Sequence, residues 1–335
     1  MNLKFGYRAA AEEHPADVLL RNSLVAESKG FDFLVTSDHF HPWFNTDAHS
    51  SFAFSWLASL GQATSKLTFG TGVTPPILRY HPALVAQAFG TLSYMYPGRV
   101  FLSVGTGEAM NEVPLGFPWP SFSERLERLK EAIEIIRALW TKDFVTYSGK
   151  YFTIKDANLY DKPKVVPPIF VAGVGAHSIR LAGDLGDGYM CVPLPPSTYP
   201  EVLAQLRSAC TESGKDFEKF PKMVEVFVGY DADYDRALAH IRRWKTVLIP
   251  NVLSSDTYDP RKLEEESKTV DDSELTSYQA TICTSVEEIV KAAERYINYG
   301  FDMIQIHSCS PSEEGFLTDF GSKGLPYLKQ TYKNT

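Results

Sequence analysis

Eight short apolar runs recur along the chain with amphipathic helical stretches between them, and this alternation constrains the fold more than any other feature. The runs fall at Leu3–Tyr7, Phe33–Ser37, Leu67–Val73, Val100–Gly105, Ile169–Gly173, Tyr189–Val192, Val224–Gly229 and Met303–His307. Most are apolar on both faces, as strands are in a parallel sheet covered by helices on each side. With 335 residues, eight such units and no evident linker, the chain is predicted to close into a (β/α)8 TIM barrel. A single domain over residues 1–335 is the matching expectation.

The intervening segments carry helix signals. In Ser121–Trp140 the residues Leu126, Leu129, Ile133, Ile136 and Trp140 recur at three- and four-residue steps. Ser121 with Glu124 forms a capping box, and Ser285 with Glu288 repeats it. The segments Ala26–Phe40 and Glu294–Ser308 echo each other: a helix ends at Gly, then Phe-Asp leads into an apolar strand. Glycine suits the left-handed residue that ends many helices. Two segments break the alternation. Phe144–Tyr160 reads as a hairpin turning at Ser148–Gly149, and Asn251–Ser277 reads as a polar excursion before the last helix–strand unit.

A net charge of −8 argues against a nucleic-acid partner, which needs clustered Lys and Arg. The four cysteines lie far apart with no Cys-x-x-Cys pair, so neither a zinc knuckle nor a disulfide framework is expected. The opening MNLKFGYRAA lacks a signal-peptide core, and no stretch approaches the roughly 18 apolar residues of a membrane helix. The expectation is a cytoplasmic protein without a membrane partner.

In such barrels chemistry gathers at the C-terminal ends of the strands. Ser37-Asp38-His39-Phe40-His41-Pro42-Trp43 follows the second run. His39 there either moves a proton near neutral pH or holds the loop by hydrogen bonds. His39 and His41 form a His-x-His pair, but Pro42 redirects the chain and the other strand ends offer no clear set of further ligands, although His307 is available. No metal is expected. Gly105-Thr106-Gly107 leads to Glu108, and its small residues let a planar ligand approach the backbone. Glu108 is a proton shuttle if burial raises its pKa, or a helix-start carboxylate. Gly173-Val174-Gly175-Ala176 fits a cofactor phosphate at a helix N-terminus, and equally a tight turn. The first strand is followed by no complete Gly-x-Gly-x-x-Gly fingerprint, which argues against NAD.

The segments SDHFHPW (Ser37–Trp43), RYHPALVAQAFGTLSYMYPGRV (Arg79–Val100), VGTGEAMNEVP (Val104–Pro114) and GDGYMC (Gly186–Cys191) carry a family resemblance. The chain resembles the F420-dependent dehydrogenases of the luciferase-like superfamily, nearly end to end. That group includes glucose-6-phosphate dehydrogenases and a secondary alcohol dehydrogenase. The resemblance implies coenzyme F420, a 5-deazaflavin, as cofactor, and commonly a homodimer. It makes His39 the base for the alcohol proton, packs Trp43 over the reacting centre, and gives Glu108 the proton at the deazaflavin N1. Asp38, Thr106, Gly107, Ala109 and Asn111 match cofactor-lining positions, and Gly173, Val174, Gly175 and Ala176 match the phosphate loop. A non-prolyl cis peptide under the ring maps onto Gly72–Val73, and Glu12 matches a carboxylate near the substrate pocket.

The departures bear on the substrate. Where sugar-phosphate members hold phosphate with Lys and Arg, this chain has Leu194-Pro195-Pro196, Ala280 and the region of Glu265. The loss of these cations favours a small secondary alcohol, with Leu194–Pro196 as apolar contacts. A sugar-6-phosphate dehydrogenase using Lys268 or Arg261 is the alternative, and an FMN-dependent monooxygenase on the same barrel is another.

Overall fold

The computed structural model describes residues 3–249, 251–252, 255–278 and 280–333. All eight runs form strands, in chain order β1 (Lys4–Ala9), β2 (Phe33–Thr36), β3 (Thr68–Thr71), β4 (Leu102–Val104), β7 (Ile169–Ala172), β8 (Gly188–Cys191), β9 (Lys222–Tyr230) and β11 (Met303–Ser308). The predicted hairpin supplies β5 (Val145–Ser148) and β6 (Thr153–Ala157), antiparallel to each other and outside the barrel. β10 (Ala280–Cys283), which the sequence reading missed, pairs with the far half of the long β9. Its Ala280 and Cys283 are buried, but four residues without a clean alternation gave no strand signal.

The parallel strands follow the order β3-β2-β1-β11-β9-β8-β7-β4. The circle closes between β3 and β4, where Phe69 N donates to Arg99 O (2.7 Å), Phe101 N to Phe69 O (3.0 Å) and Thr74 N to Ser103 O (2.9 Å). The result is a (β/α)8 barrel. The echo between Ala26–Phe40 and Glu294–Ser308 is a repeated αβ unit in detail. Gly30 and Gly300 end their helices in the left-handed conformation. The Phe31 and Phe301 amides reach back to Ala26 O and Tyr296 O, and both rings are buried. Asp32 then accepts from the Phe5 amide and Asp302 from the Lys222 amide, so each unit pins the start of a neighbouring strand.

Side chains alternate along each strand, and the barrel interior changes character along its axis. Toward the N-terminal end, Phe33, Val35, Phe101, Phe170, Met190, Met223 and Met303 pack into one apolar cluster. Two residues beyond Val35, Met223 and Met303 stand Ser37, Glu225 and Gln305, with His307 two further and Arg8 on β1, all buried. The strands thus carry an apolar plug below and a polar layer above, at the end where the strand-end loops lie. The excursion folds over that end as the helices Pro260–Ser267 and Asp272–Tyr278, and its Leu263 and Leu275 pack with Trp43, Phe44 and Trp244.

Closure depends on a glycine. A Cβ at Gly70 would stand 2.2 Å from the Phe101 carbonyl oxygen and 2.5 Å from its ring, a backbone clash that no rotamer relieves. Gly70→Ala should destabilise the chain by about 1–3 kcal/mol, the usual cost of overpacking. Urea unfolding measures this, and an unchanged midpoint would mean that the seam is not tightly packed.

Candidate active site

The loop after β2 is held by charge. The Asp38 carboxylate accepts from Tyr80 OH (3.0 Å) and Thr74 Oγ1 (2.8 Å) and pairs with the Arg79 guanidinium (3.1 Å). Arg79 also donates to the Asp38 carbonyl (2.6 Å) and lies 3.3 Å from Glu112 Oε1. Asp38, expected against the cofactor, is therefore engaged in bracing. Asn111 ties this loop to the next: its Oδ1 accepts from the Phe40 amide (2.7 Å) and its Nδ2 donates to Glu108 Oε2 (2.8 Å).

These braces bring His39 between two carboxylates. Nε2 lies 3.7 Å from Glu108 Oε2 and Nδ1 lies 3.7 Å from Glu12 Oε1. Neither separation is a hydrogen bond, and Nδ1 is buried without a partner among the described residues. Glu12 is anchored by Ser37, whose hydroxyl donates to Oε2 at 2.6 Å. Burial works against its charge, but His39, Arg8 and the Ser37 hydroxyl outweigh it and hold the carboxyl below the ordinary range. Trp43 is buried beside His39, with ring centroids 6.1 Å apart. His41 turns away to stack on Phe40 and bond the Tyr258 carbonyl, so the His-x-His pair does not converge.

Beside this group opens a cavity of about 610 Å³. Val73, Thr106, Gly107, Glu108, Gly173, Val174 and Gly175 line it, as expected of a cofactor cleft, and the Gly72–Val73 peptide is cis. Gly72, Ala109, Asn111 and Ala176 lie outside the lining, as do His39, Trp43, Glu12 and Asp38. The site therefore has two parts, a cavity and a buried His–carboxylate group, and Glu108 belongs to both.

Sequence reasoning missed Arg125. This residue lines the cavity, is 3% exposed, and makes no ion pair among the described residues. Its Nη1 donates to the Pro120 carbonyl (2.6 Å), Trp119 lies under the guanidinium at 4.0 Å, and Nε is buried without a partner. Arg125 is four residues before Leu129, so it occupies the core stripe one position from Leu126, which the apolar pattern had favoured. A cation in register with an apolar face was the available signal. The cavity's apolar wall was also misplaced: it comes from Val192, Val247, Leu248, Ile249 and Val252, and Leu194–Pro196 are not part of it. Arg261 and Lys268 face solvent, paired with Asp259 and Glu265, and Ala280 is buried in the core.

The luciferase-like monooxygenase family profile matches residues 4–303. The chain is 37% identical over 332 residues to the F420-dependent glucose-6-phosphate dehydrogenase of Microbacterium testaceum, covering 98% of each protein. It is 36% identical over 332 residues to the enzyme of that name from Intrasporangium calvum, covering 98% of this chain and 99% of the other. Among solved structures, an F420-dependent secondary alcohol dehydrogenase in complex with an F420-acetone adduct matches with a TM-score of 0.93. That match has 36% identity and covers 96% of this chain and 98% of the other. The F420-dependent tetrahydromethanopterin reductase of Methanopyrus kandleri shares the fold, with a TM-score of 0.78 at 18% identity over 98% of this chain and all of the other.

The brace has a pH signature. Burial pushes the Glu112 carboxyl up to about 7, and Arg79, which is shared with Asp38, does not bring it back. From about pH 4.5 to 7 the folded chain then holds a proton that the unfolded chain releases. Stability should fall as pH rises through this window, by up to about 1.4 kcal/mol per pH unit. Glu112→Gln cannot ionise and should flatten that slope in urea unfolding at several pH values. Parallel slopes for variant and wild type would remove Glu112 as the source.

Proposed function

Because the chain belongs to the luciferase-like monooxygenase family, we propose that it is an F420-dependent dehydrogenase taking hydride from the carbinol carbon of a small secondary alcohol. Several features of the cavity fit a deazaflavin that carries a phosphate. The buried Arg125 Nε has no partner, and a cofactor anion would supply one. The helix Ala176–Leu185 begins at Gly175 without a side-chain cap, which leaves amides free for the same anion, and Ser178 Oγ stands near them. A Cβ at Gly175 would meet nothing within 4 Å, so that turn faces open space. Arg125, Gly173–Gly175 and Ser178 would then hold the phosphate end, and Val73 and Thr106–Glu108 the ring. When bound, the deazaflavin supplies the carbon that accepts hydride.

The protein's own part is proton management and alignment. Glu12, kept anionic behind Nδ1, favours the tautomer with its proton there and leaves Nε2 to take the alcohol proton as hydride departs. The same charge stabilises the imidazolium that forms. Asn111 fixes the orientation of Glu108, which manages the proton at the deazaflavin N1.

The choice of alcohol rests on one observation: Arg125 is the only cation among the described residues lining the cavity. In this reading the coenzyme phosphate takes it. A sugar phosphate would forgo charge-assisted contacts of about 1.5–3 kcal/mol each. A neutral alcohol loses nothing and gains the wall of Val192, Val247 and Ile249. The sugar-phosphate reading keeps its support in relatives of that name at 37% identity.

His39→Ala should lower the maximal rate about a hundredfold or more while changing deazaflavin affinity little. Glu108→Gln should slow turnover and shift the pH–rate profile. Near-normal turnover in the first variant, or an unaltered profile in the second, removes that residue from the mechanism.

Substrate choice is tested by following deazaflavin bleaching with isopropanol and glucose 6-phosphate side by side. Oxidation of the alcohol with poor use of the phosphate is expected. Saturation by glucose 6-phosphate at micromolar concentration with isopropanol inert would replace this reading by the sugar-phosphate one.

A further inference from the structure

Away from the cavity, the polar layer of the barrel holds a second group of residues that the dehydrogenase chemistry does not use. We propose that Glu13, His307 and Cys309 form a binding site for a divalent metal ion of the zinc type. Glu13 follows β1, whereas His307 and Cys309 stand at the end of β11, so the ion would join two neighbouring strand ends.

One ligand atom from each residue lies within 4.8 Å of the others. Around a tetrahedral zinc, with bonds of about 2.0–2.3 Å, such atoms stand roughly 3.3–3.8 Å apart. Side-chain shifts of about 1 Å would close the set.

The free valences point the same way. His307 spends Nδ1 on Glu225 Oε1 at 2.9 Å, while Nε2 is buried without a partner, 4.0 Å from Glu13 Oε1. A carboxylate on the far ring nitrogen is the usual support of a metal-bound histidine. Trp244 Nε1 donates to Glu13 Oε1, and Oε2 is buried with no hydrogen-bond partner among the described residues. The three side chains are 7%, 1% and 0% exposed, so solvent does not complete them. Buried polar atoms left this way are rare in folded proteins.

The charge balance is a further argument. The carboxylates Glu12, Glu13 and Glu225 are buried in this layer, and Arg8 is the arginine among them. A dication would offset the surplus, which burial otherwise makes costly. Glu313 Oε2 is also unpartnered and its carboxyl lies near enough to Glu13 to feel its charge, which makes it the candidate for a fourth position. Thiolate, imidazole and carboxylate together select zinc over magnesium or calcium. Enclosure on all sides means uptake during folding, and hence a structural rather than a substrate-facing ion.

The test is independent of substrate and coenzyme. Full-length tag-free protein from zinc-supplied medium should carry about one zinc per chain by elemental analysis. Cobalt supplied in place of zinc during expression should give a thiolate-to-cobalt absorption band. Cys309→Ser should abolish that band and lower metal content at least about tenfold, and His39→Ala should change neither. If Cys309→Ser fails to fold, the wild-type zinc content and cobalt spectrum decide alone. Zinc below about a tenth per chain with no cobalt band would overturn the site. Metal lost in His39→Ala but kept in Cys309→Ser would overturn it as well.

Discussion

The guanidinium of Arg8 is the interaction on which the upper half of the barrel depends. From β1 it donates to the Gly72 carbonyl (2.8 Å) and to Ser37 Oγ (3.1 Å), and it lies 3.6 Å from Glu225 of β9. One side chain thus touches the ends of β2 and β3, one wall of β9, and the field in which Glu12 ionises. A planar fork with several donors suits this task better than a point charge would. Removing it would leave buried carboxylates uncompensated, an effect worth about 3–5 kcal/mol where such pairs are broken. The same residue therefore sets both the stability of the polar layer and the charge of the carboxylate behind His39.

A second arginine divides the labour. Arg79 works outside the strand circle, where it holds the Asp38 loop to Glu112 and so to the segment that carries Glu108 and Asn111. Arg8 positions Glu12 from below and Arg79 positions Glu108 from the side, and His39 stands where the two frames meet. Below them the apolar plug of Phe33, Met223 and Met303 gives the polar layer a firm base.

The cavity is built by different means. Its glycine-rich floor comes from the loops after β4 and β7, while much of its apolar wall comes from Val247–Ile249, ahead of the excursion, and from Val252 at its start. The excursion also supplies Glu274 and Ser277 to the rim. Floor and wall are thus separate in sequence, so the wall can change while the floor and the proton-handling group stay fixed.

The sequence by itself determined the eight strands, the hairpin, the serine N-cap half of both capping boxes and the repeated Gly-Phe-Asp unit, because periodicity and capping are local properties of the backbone; the glutamates of the two boxes turn instead to Arg128 and the Thr284 amide. It also marked His39 and Glu108, since a strand end followed by small residues is visible in one dimension. Only the tertiary structure decided which charges meet. Nothing local distinguishes Asp38, spent on Tyr80, Thr74 and Arg79, from Glu12, held anionic beside His39. In the sequence Arg125 is one charge among several on its helix, and the barrel makes it a buried cation with no ion pair among the described residues. Glu13, Glu225 and His307 come from three distant segments, and only closure of the strands puts them in one low-dielectric interior. Burial and long-range pairing set those roles, and both arise when the chain closes.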